Sequence, residues 1–157
     1  LGIEEIKFLN LPDNEMDKIS LLKIVKKIEK YLNLFKPTII YTHHHGDLNI
    51  DHRITFQAVM TACRPQPSSI IQQVFSFEIP SSTDFQSSNV GPFLPNLFID
   101  IDKTIADKME SLKSYSSEMR DNPHSRSMEN VLNLAKYRGG TVGKKFCEAF
   151  FVVRYLN

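Results

Sequence analysis

The sequence predicts an α/β fold on an open sheet of mostly parallel strands. Three observations carry that expectation. Short β-branched runs alternate with stretches of helical periodicity, the connections between runs are long enough for right-handed crossovers, and ligand-capable side chains gather where one run ends. That place is the run Thr-Ile-Ile-Tyr-Thr-His-His-His-Gly-Asp-Leu-Asn-Ile-Asp-His-Arg-Ile-Thr, residues 38–55. Residues 38–42 read as a buried strand. A short loop then carries three histidines, a glycine and two aspartates into a helix starting near Asp51. In an open α/β sheet the crevice outside the carboxyl ends of parallel strands is where ligands bind.

The 157 residues, 41% hydrophobic and 24% charged, are the composition of one folded domain spanning 1–157, with enough apolar content for a real core. A formal net charge of +1 gives no electrostatic reason to expect nucleic acid or an acidic membrane surface. The lysines of residues 23–30 alternate with apolar positions as a solvated helix face does. Cys63 and Cys147 form neither a disulfide framework nor a zinc-ribbon spacing. They read as reduced core thiols, and a cytoplasmic location is expected. No stretch reaches the roughly 20 apolar residues needed to span a bilayer, and no charged-then-apolar leader is seen. The chain starts with Leu1, not Met, and residues 1–5 run almost directly into a strand, so a cut start is expected.

In order along the chain, residues 6–9 read as a short strand closed by the turn-prone Leu11-Pro12-Asp13-Asn14. Ile19, Leu22, Val25 and Ile28, with Leu21, Ile24, Tyr31 and Leu32 beside them, repeat at helical spacing, and Pro37 ends that helix. With the strand at 38–42 this makes a β-α-β unit. A helix over 51–63 follows, with Asp51 as N-cap, Ile54, Ala58, Val59 and Ala62 inward, and Pro65 as its stop. Residues 69–79 read as a strand and 80–95 as a long loop of Ser, Asn, Gly and Pro, the kind that often forms a lid or substrate rim. A strand at 96–101, a helix at 105–115, an interruption at 121–127, a helix at 128–138 and a strand at 146–154 complete the chain.

The chemistry is concentrated in residues 43–53. Catalytic zinc commonly takes three protein ligands from His, Asp or Glu. This loop offers His43, His44, His45, Asp47, Asp51 and His52. His52, on the first turn of a helix, has its direction fixed by the backbone, and Asp51 is placed to orient an imidazole. Consecutive histidines on an extended loop point to opposite sides, so they cannot all serve one ion. His45 and Gly46 are expected to shape the turn.

The run Tyr-Thr-His-His-His-Gly-Asp-Leu-Asn-Ile-Asp-His-Arg-Ile-Thr from Tyr41 resembles the PIG-L family, also called LmbE-like proteins. So do Glu-Ile-Pro-Ser-Ser-Thr from Glu78, Tyr-Ser-Ser-Glu-Met-Arg from Tyr115, Pro-His-Ser-Arg-Ser from Pro123 and Tyr-Arg-Gly-Gly from Tyr137. The resemblance implies a Rossmann-like three-layer α/β fold and zinc-dependent removal of the acetyl group from N-acetylglucosamine-type sugars or related amides. Zn2+ is the implied cofactor and an acetylated sugar or conjugate the implied partner, without nucleic acid or membrane; homo-oligomerisation is left open. His52 matches the family's third metal ligand, the last His of a His-x-x-His motif. Where the first His of that motif stabilises the oxyanion, this chain has Asn49, whose amide can still donate a hydrogen bond; His44 and His124 are the alternatives for that role. Asp47, Arg53 and Arg126 are candidates for binding sugar hydroxyls, against a bland reading in which Arg53 is a solvated helix residue and 121–127 an ordinary capped interhelical turn. The glycines after Arg138 are expected to permit close packing or a helix stop, and Glu148 to be structural.

The family's His-Pro-Asp-Asp-Glu motif, source of two ligands and the general base, is not found; Leu11-Pro-Asp-Asn-Glu has Leu and Asn where the ligands stand. The expectation is therefore a C-terminal portion of a longer deacetylase, its sheet lacking the N-terminal strands. The alternatives are a short, catalytically dead descendant and a non-catalytic carbohydrate or nucleotide-sugar binding relic. A nucleotide-binding Rossmann domain is disfavoured because no Gly-rich loop follows a strand.

Overall fold

The computed structural model describes residues 2–87 and 89–157. Leu1, the expected cut start, and Ser88, in the 80–95 loop, lie outside the described residues. The chain is a mixed α/β fold with a four-stranded open sheet, and it divides into two compact units whose boundary falls inside one strand.

The unit Phe8–Leu94, completed by Phe151–Asn157, holds the histidine loop. Its first helix, α1 (Leu21–Phe35), forms because Ile24, Val25, Ile28 and Leu32 recur on one face; Ile24 and Val25 are fully buried. Lys36 closes it in the left-handed conformation, φ 48°, with its N–H on the Leu32 carbonyl, and Pro37 follows. Strand β1 (Ile39–His43) leads through the loop into α2 (Ile50–Ala62) and on to β2 (Gln73–Phe77). β1 and β2 pair in parallel, from Ile39 opposite Gln73 to His43 opposite Phe77. The β-α-β unit expected over residues 6–42 does not form; the parallel crossover is this β1-α2-β2 unit, which starts at the strand expected to end the first one. Residues 6–9 form no strand; Ile6 and Phe8 are 62% and 79% exposed. Apolar content supplies strand propensity, but a strand also needs a neighbour to complete its ladder, and no described residue supplies one there.

Helix α1 packs on α2. Met16, Ile24, Val25 and Ala58 make one buried cluster, and Val59, Cys63, Ile71 and Val74 another under the sheet. Each fully buried aliphatic side chain contributes about 1.5–3 kcal/mol. The turn Met16–Lys18 is a short 3₁₀ helix that periodicity did not announce; burial of Met16 and a side-chain tie described below hold it.

The second unit, Pro95–Phe150 with the N-terminal residues up to Lys7, contains β3 (Leu97–Asp100), α3 (Ile105–Lys113) and α4 (Met128–Gly140). Strand β4 (Cys147–Tyr155) pairs antiparallel with β3, from Leu97 opposite Phe150 to Asp100 opposite Cys147, and its later residues belong to the first unit. There the Leu156 N–H bonds the Gln72 carbonyl, which sets the end of β4 beside the start of β2. The sheet order is β1-β2-β4-β3 and mostly antiparallel, which corrects the mostly parallel expectation. One helix between strands returns the chain to the same end of a sheet. Two in succession, α3 and α4, bring it in from the other.

Gly139 combines both roles expected of its motif. A side chain there would meet the Lys144 carbonyl at 2.8 Å, and α4 ends one residue later. Glu148 is structural, ion-paired with Lys108. Both cysteines are free and buried, and burial pushes both thiols up. Among the described residues no helix is long and apolar enough to cross a membrane.

Candidate functional site

The loop after β1 is built around Asp47. The Asp47 N–H reaches back to the His44 carbonyl, and Asp47 Oδ1 accepts the Asn49 N–H at 2.9 Å, closing a tight Asx turn. Asn49 then caps α2, its Oδ1 accepting the Asp51 N–H at 2.8 Å. The cap is therefore Asn49, not Asp51. A residue must precede the first turn for its side chain to reach the free N–H groups, and Asp51 already lies inside. The Asp51 carboxylate instead accepts the N–H groups of Asn14 and Met16, at 2.7 and 3.0 Å, tying the turn before α1 to the start of α2.

The residue that orients an imidazole is Asp47. It is fully buried, and its Oδ1 lies 3.0 Å from Nδ1 of His52. Ser82 donates to Oδ1 and Thr83 to Oδ2, the latter at 2.8 Å. Burial alone would push this carboxyl up; the hydrogen bonds from His52, Ser82, Thr83 and the Asn49 backbone outweigh it and hold the group down at about 2. Because a carboxylate only accepts, the proton between the two side chains is assigned to Nδ1, which leaves the lone pair of His52 on Nε2. The His52 side chain keeps 22% of its surface exposed. An imidazole oriented by a carboxylate on one nitrogen and open on the other is the arrangement that surrounds metal-ligating histidines.

The other histidines are disposed differently. His43, the last residue of β1, stacks on His52 with centroids 4.2 Å apart and planes 19° apart, and its ring also meets that of Phe77, with centroids 5.0 Å apart. Burial foremost, then the neighbouring His52, lowers its pKa to about 4 against the opposing pull of Asp47. Near-parallel rings cannot aim two in-plane lone pairs at one ion, so His43 buttresses His52 rather than sharing a ligand with it. His44 is 1% exposed, with Nε2 2.9 Å from the Gly91 carbonyl and its ring edge-on to Phe93. That leaves it no open side toward a substrate, in contrast with the oxyanion role considered for it. His45 and Gly46 shape the turn, as expected. A Cβ on Gly46 would lie 2.0 Å from the Gly91 carbonyl, and one on Gly91 would lie 2.6 Å from His45 Nε2.

Asp47, expected at sugar hydroxyls, is fully buried, and the half-buried Arg53, expected there too, is engaged by the same loop. The Asp47 oxygens are taken by protein donors, and Arg53 Nη1 donates to the Asp47 and Leu48 carbonyls, each at 2.7 Å. His124 and Arg126 belong to the other unit. His124 Nδ1 accepts the Arg126 N–H, Arg126 pairs with Glu118 at 2.9 Å, and Ser127 caps α4. These are the contacts of a capped interhelical turn. Ser82, Thr83 and Gln86 went unrecognised as parts of the site; Gln86 donates to the Asp47 carbonyl. The hydroxyl-rich sequence after β2 was visible, but not that it folds back onto a carboxylate 35 residues earlier.

Among the described residues no three His, Cys, Asp or Glu side chains converge to hold a metal ion. His52 Nε2 is an oriented donor, and by itself it does not make a zinc site.

The PIG-L family model, GlcNAc-PI de-N-acetylase, matches residues 1–63. Among curated proteins none matches the chain in sequence. Solved structures share its fold, among them the following three. The N,N'-diacetylchitobiose deacetylase from Pyrococcus horikoshii superposes with a TM-score of 0.74 at 16% identity, over 98% of this chain and 58% of its own. The conserved protein TT1542 from Thermus thermophilus gives 0.68 at 15% identity, over 94% and 64%. The A40926 pseudoaglycone deacetylase Dbv21 gives 0.62 at 18% identity, over 88% and 60%. At these identities the likeness is one of fold, and the chain spans less than two thirds of each of those proteins. Residues 1–63, the segment that contains His52, match the PIG-L family model, and the chain shares the fold of these solved structures along most of its length.

Proposed function

We propose that this chain is part of a zinc-dependent hydrolase that removes the acetyl group from an N-acetylated sugar of the N-acetylglucosamine type, or from a related amide. The observation that carries the reading is the Asp47–His52 pair: a buried carboxylate fixes the ring on a helix start beside the carboxyl end of a parallel strand. His52 is the proposed metal donor, and the remaining donors and the general base come from outside the described residues. Asn49 is the proposed oxyanion donor. Its carbonyl caps α2, while its Nδ2 lies 3.3 Å from Asn14 Oδ1, a contact that uses one N–H and leaves the second. The reaction adds water across the acetamide C–N bond and yields acetate and the sugar amine.

The second reading is a non-catalytic carbohydrate-binding relic of the fold, favoured by the lack of a convergent three-donor set among the described residues. Acetate and amine release from N-acetylglucosamine and its oligomers, followed in the full-length protein with zinc and with a chelator, separates the two. Equimolar products that vanish on chelation and return with zinc support the hydrolase. Saturable sugar binding without release, whatever the zinc, supports the relic.

A further inference from the structure

We infer that Ser82 and Thr83, from the turn after β2, are positioning residues that act through Asp47 to keep Nε2 of His52 the free nitrogen. The placement of the protons carries this. The Thr83 hydroxyl oxygen accepts the Ile79 N–H at 2.7 Å, so its single proton is left for Asp47 Oδ2, 2.8 Å away. The Asn49 N–H occupies part of Oδ1. Ser82 is 8% exposed and has two acceptors in reach, Asp47 Oδ1 and, at 3.5 Å, His52 Nδ1. The shorter bond to a charged oxygen takes its proton. Nδ1 of His52 then faces a carboxylate oxygen and a hydroxyl lone pair, both acceptors, and must itself carry hydrogen.

The turn also fixes the plane of the carboxylate. Thr83 holds Oδ2, Ser82 and Asn49 hold Oδ1, and the Leu48 N–H bonds the Ser82 carbonyl, so the two loops are tied together through backbone as well as side chains. With both hydroxyls removed, Asp47 keeps one backbone donor and the ring. It is then free to turn about its side-chain bonds, and Nδ1 loses its fixed acceptor. His52 should become a mixture in which Nε2 also carries hydrogen and has no lone pair to give. For catalysis the inference rests on the proposed role of His52; the tautomer itself is a property of the protein alone.

The test is two-bond 1H–15N correlation NMR of the His52 ring in the full-length protein without metal or substrate, above pH 7. The expected wild-type pattern is a single tautomer with pyrrole-type Nδ1 and pyridine-type Nε2. It should persist in Ser82→Thr and Thr83→Ser and be lost to a tautomer mixture in the Ser82→Ala/Thr83→Val double variant. A wild-type ring protonated at Nε2 overturns the inference without any variant. So does a folded double variant that keeps one Nδ1–H tautomer; if the pair does not fold, Ser82→Ala and Thr83→Val are read singly by the same criterion. A locked tautomer in a protein that releases no acetate keeps this inference and removes the hydrolase reading, so the two fail separately.

Discussion

Nδ1 of His52 stands 3.0 Å from Oδ1 of the fully buried Asp47, and that contact joins the strand-end loop to the helix it introduces. It gives the histidine a direction and a tautomer, and it gives the carboxylate a partner that helps offset its burial. The loop's geometry and the proposed chemistry of the site therefore depend on the same pair.

Replacing Asp47 with Ala strands the Ser82 and Thr83 hydroxyls, the Asn49 N–H and Nδ1 of the His52 ring around a largely buried position. The expected loss is about 3–5 kcal/mol, the cost of breaking a buried charged network from one side. Urea unfolding checks it. A loss below about 1 kcal/mol would mean that the network does not hold the fold.

Acid should weaken the fold in two stages. His43 is held below its ordinary value, so the unfolded chain binds its proton first, and stability present above about pH 6.5 is lost as pH falls toward 4. Asp47 is also held low, so its contribution, roughly 2 kcal/mol, is present above about pH 4 and lost as pH falls toward 2. Unfolding free energies measured from about pH 8 to 3 should decline below about pH 6.5, and His43→Phe should flatten the upper stage. An unchanged upper stage in that variant would contradict the assignment.

Gly46→Ala should cost at least about 2 kcal/mol, since its methyl meets the Gly91 backbone carbonyl, an atom that cannot swing aside as a flexible side chain does. Limited proteolysis should then cut the 80–95 loop faster than in the wild type. An unchanged cleavage rate and an unchanged melting temperature would refute the close approach.

Lys108→Met provides a contrast. The Lys108–Glu148 pair is about one third exposed on both sides, so its removal should change stability by less than about 1 kcal/mol in thermal unfolding.

Much of the architecture was legible because it is written in local periodicity. The apolar face of α1, the stop at Pro37 and the strand-loop-helix around the histidines each follow from residues within a few positions of one another. Strand direction was less legible: pairing β4 antiparallel to β3 depends on two helices intervening, and residues 6–9 have strand composition without a described neighbour. In the site, the place of His52 on the first turn of a helix was legible, as were His45 and Gly46 as turn residues, while a metal role for His52 came from the family resemblance alone. The exchange of roles between Asp51 and Asp47 was not. Both are acidic residues near one cap, and only the fold shows which carboxylate meets the ring and which ties down the turn before α1. Ser82 and Thr83 could not be assigned from sequence for the same reason.

If Nε2 of His52 donates to a catalytic zinc, zinc content and acetate release in the full-length protein, wild type against His52→Ala, measure it most directly. The expected result is about one zinc per chain in the wild type, with zinc and acetate release lost together in a variant that still folds. Wild-type zinc content and undiminished release in His52→Ala would contradict that role.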